Sequence, residues 1–117
     1  FKRVNDLRGH LEGDLLLQTV AEALRRSTRE VDVAGRFGGD EFVLVLADTT
    51  QEEGRVAGNR FVAAIREVGM KFDPKNPVTA SAGLGIARPG DTVGSVLKRA
   101  DDMAFSAKGK GGNRLCG

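Results

Sequence analysis

The sequence predicts an α/β or α+β domain built around one sheet, on three observations. Apolar residues recur at helical spacing in separate stretches, short β-type runs lie between them, and glycine or proline marks most junctions. With 117 residues, 40% of them hydrophobic and 29% charged, the chain suits one small domain with a single core.

Phe1 to Leu7 is expected as a short helix and Arg8 to Gly13 as a glycine-bearing link. Leu15 to Thr28 carries Leu16, Leu17, Val20, Ala21, Ala23 and Leu24 at helical spacing, with Arg25, Arg26 and Gln18 mostly elsewhere. Asp14 stands just before this helix, where its carboxylate can cap free amides. Val31 to Phe37 and Glu41 to Ala47 read as strands, and Gly38-Gly39 between them predicts a tight hairpin with positive φ angles. Thr49 or Thr50 opens the next helix, whose apolar face is assigned to Val56, Phe61, Ile65 and Val68.

The stretch from Asp73 to Pro77 is a loop by its two prolines. Val78 to Ala87 is expected as a strand of small residues that lets another backbone approach closely. Pro89-Gly90-Asp91 turns the chain into a last helix, Val93 to Lys108. Gly109 to Gly112 ends that helix, and a short strand follows at Arg114 to Cys116.

Composition narrows the chemistry. A net charge of +2 implies no general polyanion surface, so any anion site is a local cluster. Cys116 as the only cysteine excludes an internal disulfide and a cysteine-rich zinc site, and His10 as the only histidine excludes a histidine cluster. A bound metal would be a hard ion held by carboxylates, magnesium (or manganese) foremost. No apolar run approaches the ~18 residues of a membrane span and no signal peptide is visible, so a cytoplasmic setting is expected. The chain begins at Phe1 without a methionine, which leads us to expect a piece of something longer.

The densest chemistry is the stretch RFGGDEF, Arg36 to Phe42. Glycines without Cβ atoms let a bulky ligand reach the backbone of the turn. Asp40 and Glu41, if adjacent on a strand, point to opposite faces, so one would bind metal while the other does a separate task. The bland alternative is a surface hairpin with solvated acids. Lys108 and Lys110, in AKGKGGNR, either complement the dipole of the last helix or help cradle phosphates, although the segment matches no P-loop.

Taken together these motifs resemble the GGDEF family, the bacterial diguanylate cyclases. Phe37 to Phe42 contains the signature itself. Phe1-Lys2-Arg3-Val4-Asn5-Asp6, with Gly9-His10 and Gly13-Asp14, is similar to the family's FKxxND…GHxxGD segment. Thr79 to Gly83 resembles its TxSxG strand, and Ala100-Asp101 through Ala107-Lys108 its ADxALYxAK helix, with Phe105 where tyrosine is common. The resemblance implies a single central mixed sheet of about five strands flanked by helices, nucleotidyl-cyclase or palm-like. It also implies a transferase reaction that joins two GTP into cyclic di-GMP and two pyrophosphates across a homodimer.

By the same resemblance Asp40 is a metal ligand and Glu41 a catalytic acid at the metal and the reacting hydroxyl. Asn5 and Asp14 would read the guanine edge, or cap the helices they border. Lys2 and Lys108 would contact phosphates, with Gly38 and Gly39 beneath them. Arg29 and Asp32 form an RxxD element, with VAGRF before Gly38, at the spacing of the family's inhibitory cyclic di-GMP site; Arg60 falls where a second arginine contributes. An isolated RxxD would otherwise be a solvated helix end. An attached sensory or receiver domain is expected, and the alternative role is a non-catalytic module that binds cyclic di-GMP or GTP as a receptor.

Two departures from the family pattern bear on activity. The family has a strand before FKxxND with a further metal-binding aspartate, so this first strand is expected upstream and the fragment as given is expected to be inactive. Gly112 stands where the family's GRN motif has arginine, leaving Arg114 or Lys110 as substitutes.

Overall fold

The computed structural model describes residues 9–117. The helix expected at Phe1 to Leu7 lies outside them, as do Lys2 and Asn5. In chain order the elements are α1 (His10–Ser27), β1 (Val33–Gly38), β2 (Glu41–Val45), α2 (Gln51–Phe72), β3 (Ser81–Gly83), α3 (Val93–Gly109) and β4 (Arg114–Cys116).

The first helix starts earlier than its apolar spacing suggests. It begins at His10, with Gly9 in the capping position at φ 87° and Gly13 N–H donating to the Gly9 carbonyl at 3.2 Å. The residues taken as a link are therefore helical from His10 onward. Asp14 sits inside the helix rather than before it, and so does not cap its start. A single glycine costs a helix only about 1 kcal/mol, and Gly13 is buried within this one. Of the apolar set predicted for this helix, Leu16, Leu17, Val20, Ala23 and Leu24 are buried and Ala21 is half-buried.

The second helix opens on a capping box. Glu53 N–H donates to Thr50 Oγ1 at 3.2 Å, and Thr50 N–H donates to Glu53 Oε1 at 3.0 Å. Phe61 joins Leu16, Val20 and Leu24 in the main core, against which Phe42, Leu44 and Leu46 from the hairpin side and Ile65 and Val68 from α2 pack. Burying each such side chain contributes roughly 1.5–3 kcal/mol. Val56, assigned to the apolar face, is exposed instead. Gly54 takes the place beside Leu84: a Cβ there would meet the Leu84 side chain at 3.1 Å. A second buried face thus turns toward β3 and β4, and Val56 lies on the side of the helix away from both.

The sheet departs most from expectation. Among the described residues there are two two-stranded sheets, an antiparallel β1–β2 hairpin and a parallel β3–β4 pair, rather than one sheet of about five strands. β2 and β3 share no ladder, and no described strand lies between them. β3 is short for the same reason: only Ser81 to Gly83 find partners, in Arg114 to Cys116, with flanking bonds from Arg114 N–H to Ala80 O and from Leu84 N–H to Cys116 O. β1 begins at Val33 rather than Val31, because Asp32 N–H turns back to the Arg29 carbonyl at 3.0 Å. β2 ends at Val45, ahead of a turn in which Asp48 takes φ 47°.

α3 lies directly on β3. A Cβ on Gly83 would fall on the carbonyl oxygen of Ala100 and the amide nitrogen of Ala104, so the small residues predicted for this strand are required by the helix above it. The loop before α3 is tied down by Asp91. Its carboxylate accepts from Arg99 Nη2 at 2.8 Å, from Ser95 Oγ at 2.8 Å and from Arg88 N–H at 2.7 Å, which holds it well below the usual carboxylate pKa. Arg99 Nη1 also donates to the Ile86 carbonyl at 2.6 Å.

Candidate active site and regulatory pocket

The hairpin turn consists of Gly39 and Asp40, between the paired residues Gly38 and Glu41. Arg36 pairs with Phe42, and the register shifts before Gly38, so Phe37 is the extra residue of a bulge and is largely exposed. Neither Gly38 nor Gly39 adopts a positive φ, contrary to the primed turn expected. The bulge supplies the twist that a primed turn would otherwise provide. Nor does packing against the described residues require the glycines: among them a Cβ on Gly39 would meet nothing within 4 Å, and one on Gly38 only Glu41 Oε2 at 3.8 Å.

Asp40 belongs to the turn and Glu41 to the first position of β2, so strand alternation does not separate them as two strand residues. Both are exposed, and neither side chain makes a hydrogen bond or ion pair with another described residue. Two adjacent carboxylates without a cationic partner are hard oxygen donors suited to a divalent ion. Among the described residues no third acid, histidine or cysteine joins them, so an ion held here would keep several waters or take further ligands. Arg36 holds the turn itself: its Nε donates to the carbonyls of Gly38 at 3.3 Å and Gly39 at 2.9 Å, and its Nη2 to Gly39 at 2.5 Å.

The other expected ligand contacts are scattered among the described residues. Asp14 is exposed on α1, a helix that touches β1. Lys108 is exposed in the last turn of α3, which makes no contact with the hairpin. Lys110 caps α3 through its backbone, and Arg114 Nε donates to the Gly112 carbonyl at 3.1 Å. Gly112 has φ 72°, a conformation an arginine side chain at this position would adopt only with strain.

The RxxD element is highly ordered by its own hydrogen bonds. Arg29 forks onto Asp32, Nε to Oδ2 at 3.0 Å and Nη2 to Oδ1 at 2.8 Å. Asp32 also accepts from the backbone N–H groups of Arg29 at 3.0 Å and Ala47 at 3.2 Å. Its side chain is 3% exposed, whereas that of Arg29 is 53% exposed. The Arg29 guanidinium, followed by the backbone bonds, lowers the Asp32 carboxyl to a pKa of about 2. Nη2 of Arg29 reaches on to the Ala47 carbonyl at 2.7 Å and Thr49 Oγ1 at 3.0 Å.

Arg29 and Asp32 line a pocket of about 140 Å³ together with Leu46, Thr49, Glu53, Ala57 and Arg60. Arg60 Nη2 donates to the Ser27 carbonyl at 3.3 Å, and its guanidinium lies 5.6 Å from the centre of the Phe61 ring. The three residues singled out in the sequence for an inhibitory site therefore share one pocket. Thr49, Glu53 and Ala57 were not anticipated. The i, i+4, i+7 spacing of Glu53, Ala57 and Arg60 along one helix face was the available signal.

Comparison with known proteins agrees with the fold and the motifs. The family model described as diguanylate cyclase, GGDEF domain, matches residues 1–114. The diguanylate cyclase DgcP of Pseudomonas aeruginosa is 40% identical over 117 residues, covering 98% of this chain and 17% of that protein. DgcZ of Escherichia coli is 34% identical over 115 residues, covering 97% of this chain and 39% of its own. The chain thus spans less than half the length of these curated relatives. The GGDEF domain of DgcB from Caulobacter crescentus, solved in complex with c-di-GMP, superposes with a TM-score of 0.88 at 27% identity, covering 98% of this chain and 70% of that one. An unpartnered acid pair on a glycine turn, a preformed RxxD pocket and these likenesses lead to one conclusion: the chain belongs to the GGDEF domain family.

Proposed function

We propose that the protein is a diguanylate cyclase, joining two GTP molecules into cyclic di-GMP with release of two pyrophosphates. The observation that carries this reading is the turn at Gly38 to Glu41. Its glycines are demanded neither by backbone conformation nor by packing against the described residues, and its two carboxylates have no described partner. Such a turn is explained by a ligand that lies against the backbone and a cation that the acids hold. The curated relatives named as diguanylate cyclases support the same reading.

In this reading Gly38 and Gly39 admit the phosphates, with Lys2 and Lys108 neutralising their charge, and Asn5 and Asp14 hold the guanine. Asp40 and Glu41 would hold the divalent ion, magnesium or manganese, which supplies charge neutralisation at the α-phosphate and acidifies the attacking hydroxyl. The 3′-oxygen of one GTP bonds to the α-phosphorus of the other. The bond from that phosphorus to the bridging oxygen breaks, and pyrophosphate leaves. Glu41, exposed and unpartnered among the described residues, accepts the hydroxyl proton. Two domains must face each other for both bonds to form, so a homodimer is the catalytic unit. Among the described residues β2 pairs only with β1 and β3 only with β4, which supports a further strand between them, carrying a further metal-binding aspartate. Among the described residues no helix is long and apolar enough to cross a membrane, and we read the domain as cytoplasmic, attached to a sensory or receiver partner.

The pocket of Arg29, Asp32 and Arg60 is read as the site where the product binds and inhibits. Arginine forks match guanine edges and phosphates. The same pocket, together with Gly112 in place of an arginine, favours a second reading, a receptor that binds cyclic di-GMP without making it. The two are separated by incubating the full-length protein with GTP and magnesium and measuring cyclic di-GMP by chromatography. We expect product from the native protein and none from Asp40→Ala or Glu41→Gln. A folded, dimeric native protein that forms no product would sink the cyclase and leave the receptor. Arg29→Ala is expected to weaken cyclic di-GMP binding by tenfold or more while GTP binding persists; unchanged product affinity would refute the inhibitory site.

A further inference from the structure

Arg36 is the one side chain among the described residues that hydrogen-bonds the Gly39-Asp40 turn, and nothing in the roles above uses it. Its guanidinium gathers two successive carbonyls, those of Gly38 and Gly39, to one side of the chain. Every described peptide bond is trans, and in a planar trans peptide the N–H points opposite to the C=O. Drawing the Gly38 carbonyl toward Arg36 therefore aims the Gly39 N–H away from it, and drawing in the Gly39 carbonyl does the same for the Asp40 N–H. Neither N–H has a loop or side-chain acceptor among the described residues. Two consecutive N–H groups turned to a common side form a concavity that attracts anions.

We propose that Arg36 is a positioning residue that presets this pair of N–H groups for a phosphate of the bound nucleotide. Beyond the Gly38–Glu41 ladder pair that closes it, the turn has no other lock among the described residues. Its glycines meet little packing from those residues, and glycine loses more conformational freedom on ordering than any other residue. Without the guanidinium, the turn would have to order itself each time a nucleotide arrives. Lysine at this position would keep the charge but lacks the planar fork that spans two carbonyls. The proposal rests on the reading that the Gly38-Gly39 turn receives phosphates.

The test uses the full-length protein and a GTP analogue with a methylene bridge between its α- and β-phosphorus atoms, bound in the presence of magnesium and measured by calorimetry. Arg36→Ala is expected to weaken analogue binding roughly tenfold to a hundredfold, the range for losing charge-assisted hydrogen bonds. The melting temperature should stay within about 2 °C of native, as for a surface change in a domain of this size. Steady-state kinetics should show KM for GTP rising more than kcat falls, and the amide resonances of Gly39 and Asp40 should shift before any nucleotide is added. Arg36→Lys should not restore affinity. Full affinity in Arg36→Lys would show that charge suffices, overturning the fork. Native affinity in Arg36→Ala, with binding lost in Gly39→Ala, would overturn the role of Arg36 and leave the phosphate reading standing. Native affinity in Gly39→Ala would overturn that reading and this proposal with it.

Discussion

In β3, a methyl group on Gly83 would land on the Ala100 carbonyl and the Ala104 amide; at the hairpin turn, a methyl group on Gly39 would meet nothing within 4 Å. Both residues lie in motifs that match the family pattern, and composition cannot distinguish them. The first glycine is demanded by the fold, because α3 rests on the strand it belongs to. Nothing among the described residues demands the second, so its presence in the motif points to a cause outside them. Motif residues of the two kinds therefore fail differently when changed.

That contrast can be broken by substitution. Gly83→Ala is expected to have the largest effect on stability, about 3 kcal/mol or more, since a helix backbone rather than a flexible side chain must move. Urea denaturation would measure it, and a loss below about 1 kcal/mol would mean that α3 does not rest on β3 as described. Gly39→Ala should change stability by no more than about 0.5 kcal/mol yet reduce GTP binding at least tenfold. A matching fall in stability would erase the distinction between the two glycines.

The smallest expected effect sharpens a related contrast, between the unpartnered acids of the turn and Asp32. The folded pKa of Asp32 is lowered, chiefly by its bond from Arg29, so the corner it forms is fully stabilised above the ordinary aspartate value of about 3.9. That stabilisation is lost as pH falls through about 2. Carboxyl carbon NMR should place the Asp32 midpoint near 2, and Arg29→Ala should move it upward. Because Arg29 is half exposed, salt should weaken the effect.

The helices were legible because their signals are local: the spacing of Leu16, Val20 and Leu24, and the threonine before Glu52 and Glu53. The start of α1 was not, since Gly13 reads as a breaker until its burial is known. Val56 was misassigned because it lies five residues before Phe61, about 140° round the helix from it, and so is out of phase with the face it was given to. The hairpin was found from Gly-Gly flanked by apolar runs, but its backbone depends on a bulge at Phe37 that leaves no mark on composition. The extent of β3 depended on a partner strand more than 30 residues away, which propensity does not see. In the candidate site, Arg29, Asp32 and Arg60 were legible through motif spacing. Thr49 and Arg36 were not, because their roles are hydrogen bonds to carbonyls and neighbouring side chains whose positions only the fold fixes.

α2 is the only described element in contact with both halves of the molecule: α1 on one side, β3 and β4 on the other. Among the described residues, the hairpin with α1, and α3 with the β3–β4 pair, have no other element in common, so α2 is held from two sides at once. A helix held in this way loses its protection only when both contacts open. The slowest-exchanging amides should accordingly lie in the middle of α2, around Phe61 and Val62, where both buried faces overlap.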